Sequence, residues 1–160
     1  MNVIRQINLT IDSNLKNVAL VGAAVNRLCA LVLLSEDECA DIELCVVEGV
    51  NNAVKHAYNS QSGNDVDIVF TIQLDRLVIE IFDSGKGMEI DEIEFPMFDF
   101  TTLDTIPESG MGLYIIKSIM DEIYYTREPN RNKLTMIRYL NPDAVLQFME
   151  NQHSYQRKIK

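Results

Sequence analysis

Two polar side chains four residues apart, Glu48 and Asn52, stand within a helical pattern and could act together. On one face of a helix, Cβ atoms at this spacing lie roughly 5–6 Å apart, so both side chains can reach a single site. The amide oxygen of Asn52 suits a hard cation such as Mg²⁺, and the Glu48 carboxylate can accept a proton from an attacking hydroxyl. Lys55, on the same face, either contacts phosphate or faces solvent. The alternative for all three is an ordinary solvated helix face, although Asn is a poor helix former.

A second block places Asp83, Gly85 and Gly87 directly after a run with strand character, Leu77 to Phe82. An aspartate at a strand end can accept a hydrogen bond from the exocyclic amine of adenine, whereas guanine presents a carbonyl there. The two glycines allow backbone angles and a close approach that other residues resist. Taken alone, the block is better explained as an Asp-Ser-Gly turn, which is common.

A third block, Gly110, Met111, Gly112 and Leu113, opens another helical pattern. Free backbone N–H groups at a helix start, together with the helix dipole, favour anions such as phosphate. The alternative is a simple junction between a loop and a helix. The irregular segment before it, residues 88–109, is predicted to be a lid, although its phenylalanines could instead belong to the core or face a partner.

The composition indicates a folded and acidic protein. The 160 residues are 47% hydrophobic and carry a formal net charge of −10, which predicts one domain with a substantial core. Such a charge disfavours nucleic acid as a partner. It also repels a triphosphate, so bound phosphates would need a cation and local backbone donors.

Cysteine usage and hydropathy predict a cytoplasmic protein. The three cysteines show no close pairing, and with only two histidines they indicate reduced thiols rather than a disulfide framework or a metal site. The start of the chain lacks the pattern of a signal peptide. Its most apolar stretch, Val18 to Leu34, is interrupted by Asn26 and Arg27, which predicts a core helix and no membrane span.

The periodicity predicts an α+β fold, a two-layer sandwich of a mainly antiparallel sheet with helices on one face. Asn14 or Ser13 could cap a first helix that ends near Leu34, and the capping box Ser35 to Glu38 should start a second that ends near Tyr58. A third helix is predicted from Gly112 to Glu122. Strands are predicted at Val3–Ile11, Val66–Leu74, Leu77–Phe82, Ile123–Thr126 and Leu134–Leu140. Residues 142–160 are expected to form a short C-terminal helix and a frayed tail.

Together, the three blocks resemble the motifs of the Bergerat-fold (GHKL, histidine kinase-like) ATPases. Glu48 and Asn52 fit the N box of that superfamily. Its two glycine boxes are matched by Asp83, Gly85 and Gly87, and by Gly110 and Gly112. The small size, the run from Glu48 to Tyr58 and the run from Ser109 to Tyr114 are most similar to the anti-sigma-factor serine kinases of bacterial partner-switching systems.

This resemblance implies an ATP-binding kinase domain over residues 1–141 with ATP and Mg²⁺ as cofactors. Glu48 would be the general base and Asn52 the Mg²⁺ ligand, while Asp83 would read adenine. The glycines, with Lys55, Met111 and Leu113, would surround the base and the phosphates. The implied substrate is a serine on a STAS-domain anti-anti-sigma protein, and the implied second partner is a sigma factor, bound usually by a homodimer. The alternative is a nucleotide-binding partner-switching module without significant kinase activity that sequesters a different partner.

Overall fold

The computed structural model describes residues 3–32, 34–88 and 111–141, together with residues 143 and 146. These residues form a five-stranded sheet, three α-helices and one short π-helix, which confirms the predicted α+β fold. The strands are β1 (Val3–Asp12), β2 (Asp65–Gln73), β3 (Arg76–Asp83), β4 (Glu122–Glu128) and β5 (Arg131–Tyr139). The helices are α1 (Leu15–Leu31), α2 (Glu36–Asn52), the π-helix (Ala53–Ala57) and α3 (Met111–Ile119).

All neighbouring strands of the sheet are antiparallel, in the order β1-β2-β3-β5-β4. Side chains alternate along the central strands, so that Ile68 and Phe70 of β2 and Ile79 and Ile81 of β3 are fully or almost fully buried. These residues pack with the apolar sides of the helices in one core. The described helices therefore form one layer against one face of the sheet. β3 and β5 occupy interior positions in the sheet.

The helix starts follow from local side-chain hydrogen bonds. Asn14 caps α1 by accepting a hydrogen bond from the backbone N–H of Lys16. The predicted capping box is present at α2, where Ser35 and Glu38 each accept a backbone hydrogen bond from the other. The two helices pack closely at Gly22, where an added Cβ would lie 2.8 Å from Cγ2 of Val47.

The second helix differs from the expectation over its last turn. It was predicted to continue as one helix to Tyr58, but α2 ends at Asn52 and the chain widens into the π-helix. There the N–H of Tyr58 bonds to the carbonyl of Ala53, and the Ala57 carbonyl accepts a hydrogen bond from the N–H of Lys86. The π-helix thus joins the end of α2 to the loop after β3. Short π-helical turns of this kind are frequent at functional sites.

The third helix is shorter than predicted. It ends at Ile119 rather than Glu122, because residues from Glu122 onward pair with β5, beginning with Glu122 opposite Ile137. Beyond the sheet, Asp143 and Leu146 are helical, and the remainder of the predicted C-terminal helix and tail lies outside the described residues. Within the described part of the chain, no helix combines the length and apolar character needed to cross a bilayer.

Candidate functional site

An open pocket lies where the end of α2 and the π-helix face the end of β3. Its empty volume, counted together with the solvent at its open mouth, is about 330 Å³. Two predicted site residues, Asn52 and Asp83, line it from opposite elements. The polar or partly polar lining is completed by His56, Lys86 and Tyr125, and the apolar lining consists of Gly49, Ala53, Ala57, Ile81, Met88 and Leu134.

The first two predicted residues meet the start of α3. An added Cβ on Gly112 would lie 2.6 Å from Oε2 of Glu48 and 3.5 Å from Oδ1 of Asn52. Both side chains are half-buried, and the described residues offer neither of them a hydrogen-bond partner. A carboxylate, an amide oxygen and the first turn of α3 therefore converge at one place.

The third predicted residue, Asp83, is held by a buried network. Its Oδ1 accepts hydrogen bonds from Nδ2 of Asn132 at 2.7 Å and from the N–H of Gly85 at 3.0 Å. Burial raises the pKa of the Asp83 carboxyl above its usual range, and the two hydrogen bonds, which favour the charged form, oppose this rise. Asp83 is therefore a buried acceptor whose orientation is fixed by two hydrogen bonds.

The loop that carries the first glycine pair is fastened to the π-helix. An added Cβ on Gly85 would overlap the backbone carbonyl of Ala57, so only glycine permits this approach. The buried hydroxyl of Tyr58 accepts a hydrogen bond from the N–H of Ser84 at 2.7 Å and donates one to the carbonyl of Asp65 at 2.8 Å. These contacts fix the distance between the Asn52 and Asp83 sides of the pocket.

Other predicted site residues occupy more varied places. Lys55 is exposed and does not line the pocket. Met111 and Leu113 are half-buried at the start of α3, where Leu113 packs against the core. An added Cβ on Gly87 would lie 2.6 Å from Oδ1 of Asn132, so this glycine leaves room for that amide. Gly110 and most of the predicted lid, residues 89–109, lie outside the described residues.

Sequence reasoning missed Asn132 and Tyr125. Asn132 is only 4% exposed, and the hydroxyl of Tyr125 accepts a hydrogen bond from the N–H of Met88 at 3.0 Å. A signal for Asn132 was present, because this residue shares the inward parity of Leu134 and Met136 on β5. A polar residue at an inward strand position calls for a buried partner. Nothing in the sequence around Asn132 identified Asp83 as that partner.

The donor set fits a magnesium–nucleotide complex better than a metal held by protein alone. In the described ranges, no cluster of three or more His, Cys, Asp or Glu side chains could hold an ion. Mg²⁺ commonly keeps several waters and takes one or two protein oxygens plus phosphates. The free amide oxygen of Asn52, next to the start of α3, is suited to such a shared site.

Comparisons of the sequence with known proteins identify a family. A model of the histidine kinase-like ATPase domain family matches residues 11–138. The serine-protein kinase RsbW of Staphylococcus epidermidis is 31% identical over 144 residues, covering 87% of this chain and 89% of the relative. That of Bacillus subtilis is 28% identical over 144 residues, covering 87% and 88%.

One solved structure supports the fold alone. The crystal structure of the SiaB–SiaC complex from Pseudomonas aeruginosa includes a chain that matches with a TM-score of 0.54 at 13% identity, covering 86% of this chain and 91% of that one. The family assignment rests on the sequence matches, which extend across all three motif blocks. The chain therefore belongs to the histidine kinase-like ATPase family and, within it, to the RsbW serine-protein kinases, the anti-sigma-factor branch that its motifs predict.

Proposed function

We propose that this protein is a cytoplasmic, Mg-ATP-dependent kinase that phosphorylates a serine of a small STAS-type antagonist protein. In its other state it would bind a sigma factor and keep it inactive, as a homodimer. The observation that carries the proposal is the convergence of Glu48, Asn52 and Gly112 beside the pocket that Asp83 closes at its other end. Family membership supports the kinase class, and the acidic chain, with net charge −10, favours protein partners over nucleic acid.

The nucleotide would lie with its base at Asp83 and its phosphates toward the start of α3. The backbone N–H groups of the first turn of α3, which includes Met111, Gly112 and Leu113, would donate to phosphate oxygens. These neutral donors let an acidic protein hold a highly charged ligand. Asn52 would contribute its amide oxygen to Mg²⁺, which supplies charge neutralisation at the phosphates.

Glu48 would act as the general base. It would accept the proton of the substrate serine as the serine oxygen bonds to the γ-phosphorus and the bond from that phosphorus to ADP breaks. Positioned base catalysis is typically worth about 10²- to 10⁴-fold in rate. The half-buried position of Glu48 leaves its carboxylate reachable, while α2 fixes its backbone.

Phosphate transfer to a purified STAS partner tests the proposal. Wild-type protein with Mg-ATP should phosphorylate one serine, and Glu48→Gln should lower the rate by about 10²- to 10⁴-fold while leaving ATP affinity largely intact. Glu36→Gln, on the exposed first turn of the same helix, is the matched control and should transfer at the wild-type rate.

Two outcomes would contradict parts of this proposal. Normal transfer by Glu48→Gln would refute the assignment of the general base. Firm ATP binding by the wild-type protein without transfer to any STAS partner would favour the alternative, a partner-switching module that binds nucleotide and sequesters a protein other than a sigma factor.

A further inference from the structure

A buried asparagine stands directly opposite the base-reading aspartate. Asn132 of β5 and Asp83 of β3 are cross-strand neighbours in the register of the sheet, and both face the helix layer. Asn132 is 4% exposed and Asp83 is 9% exposed. Asn132 is not among the residues that line the pocket, whereas its partner Asp83 is, so its contact with Asp83 connects it to the pocket.

The two oxygens of the Asp83 carboxylate are in different situations. Oδ1 accepts one hydrogen bond from Asn132 and another from the N–H of Gly85, which fills its two lone pairs. No described residue donates to Oδ2. Because Asp83 lines the pocket, Oδ2 is the oxygen left to accept a hydrogen bond from a ligand.

The orientation of the Asn132 amide is also fixed. Its Nδ2 donates both to Oδ1 of Asp83 and to the carbonyl of Gly85, at 2.7 and 3.1 Å. A flipped amide would set its own oxygen against two acceptors, which is repulsive. The missing side chain of Gly87 provides the space in which the amide oxygen of Asn132 lies.

We infer that Asn132 is a positioning residue that sets base specificity by holding Oδ1 of Asp83 and presenting Oδ2 to the 6-position of a purine. The inference rests on the proposed function only in taking the pocket to bind a purine nucleotide. An amine at position 6, as in adenine, donates to Oδ2. A carbonyl there, as in hypoxanthine, meets an acceptor and is rejected.

The same geometry makes an unusual prediction for Asp83→Asn. In that variant, Asn132 and the N–H of Gly85 still donate, so they require the new amide oxygen to occupy the place of Oδ1. The new amide nitrogen then occupies the place of Oδ2 and donates into the pocket. The variant should therefore prefer a purine with a carbonyl at position 6.

Equilibrium binding of ADP and IDP, whose bases are adenine and hypoxanthine, tests the inference. Wild-type protein should bind ADP more tightly than IDP by roughly 10- to 100-fold, as expected for a hydrogen bond to a charged group. Asn132→Leu and Asn132→Ala remove the donor with two different shapes, and each should reduce this ratio by roughly tenfold. Thr135→Val, on the same strand and pointing to the opposite face, should leave the ratio unchanged.

The variants at position 83 complete the test. Asp83→Asn alone should bind IDP more tightly than ADP, and Asp83→Asn with Asn132→Leu should lose that preference. Thermal unfolding confirms that each variant is folded. If the Asn132 variants do not fold, Asp83→Asn still tests the inference. Binding of IDP by that variant no more tightly than ADP would overturn it.

An equal loss of ADP and IDP affinity on removing Asn132 would also overturn it, because a merely structural residue would weaken both alike. Neither result would affect the kinase proposal, which is tested by phosphate transfer from ATP to a serine in the wild-type protein. Absence of any nucleotide binding by wild-type protein would overturn both.

Discussion

Gly112 lies directly against the carboxylate of Glu48. A Cβ at position 112 would lie 2.6 Å from Oε2 of Glu48, far closer than van der Waals contact allows. The obstructed atom is the end of a flexible side chain, so the carboxylate can move aside at small energetic cost. A glycine at position 112 therefore leaves room for the carboxylate of Glu48, the proposed base, to keep its position.

Gly112→Ala should separate activity from stability. The added methyl displaces Glu48, so phosphate transfer should fall by roughly tenfold or more, since small misplacements of reacting groups are costly. The free energy of unfolding in urea should change by less than about 1 kcal/mol, because α3 gains an alanine in place of a glycine.

Gly49→Ala serves as the contrast. Its Cβ would lie 2.6 Å from Cδ1 of the buried Ile81, so overpacking should lower the free energy of unfolding by about 1–3 kcal/mol. A Gly112→Ala protein that is strongly destabilised, or that transfers phosphate normally, would disprove the role assigned to this contact.

Nucleotide affinity should depend on the charge of Asp83. Burial raises the pKa of this carboxyl in the folded protein, so folding favours its neutral form. The protonated carboxyl therefore contributes stability that is fully present at low pH and is lost as pH rises through the folded pKa. Adenine binding has the opposite dependence, since its amine favours the ionised carboxylate. ADP affinity should therefore fall as pH drops, beginning above 3.8, the ordinary value for Asp.

Binding measured calorimetrically between pH 8 and pH 4 checks this dependence. Asp83→Asn is the control, because it retains His56, Lys86 and Tyr125 around the pocket and the titration of the nucleotide phosphates. The difference between the two curves isolates Asp83. Parallel curves would exclude an adenine contact to an ionised Asp83.

The elements of this fold could be predicted because their signals are local. The capping box from Ser35 to Glu38 marks the start of α2, and a largely regular alternation of apolar residues marks β2. The spacing of Glu48 and Asn52 also sufficed to place both on one helix face. Bringing them to Gly112 required tertiary packing, which the family resemblance anticipated and periodicity could not.

The unpredicted parts depend on contacts between distant segments. In the π-helix, the Ala57 carbonyl accepts a hydrogen bond from the N–H of Lys86. The residues of Ala53–Ala57 alone do not predict this contact. The pairing of Asn132 with Asp83 depends on the register of β3 with β5. A single sequence contains the polar residue but leaves its cross-strand partner undetermined.

The cysteine thiols should be inert in the native protein. Burial raises the pKa of Cys29 and Cys45 to about 12 each, and Cys39 is also buried with a raised pKa. Since the thiolate is the nucleophile, a disulfide reagent at pH 8 should label them only as the protein unfolds. Labelling followed against urea should coincide with loss of helical circular dichroism, whereas rapid labelling without denaturant would contradict the buried positions.

Tyr58→Phe should weaken both the fold and the pocket. The lost hydroxyl bridges Ser84 and Asp65, and its removal leaves a backbone donor and a backbone acceptor unpaired near the core. We expect the free energy of unfolding to fall by about 1–3 kcal/mol. ADP affinity should fall as well, because Ser84 begins the loop that carries Gly85.

Tyr124→Phe is the matched control, since its hydroxyl bonds to Glu122 at an exposed edge and its loss should cost less than about 0.5 kcal/mol. Equal effects of the two substitutions would show that the Tyr58 bridge does not hold the glycine loop.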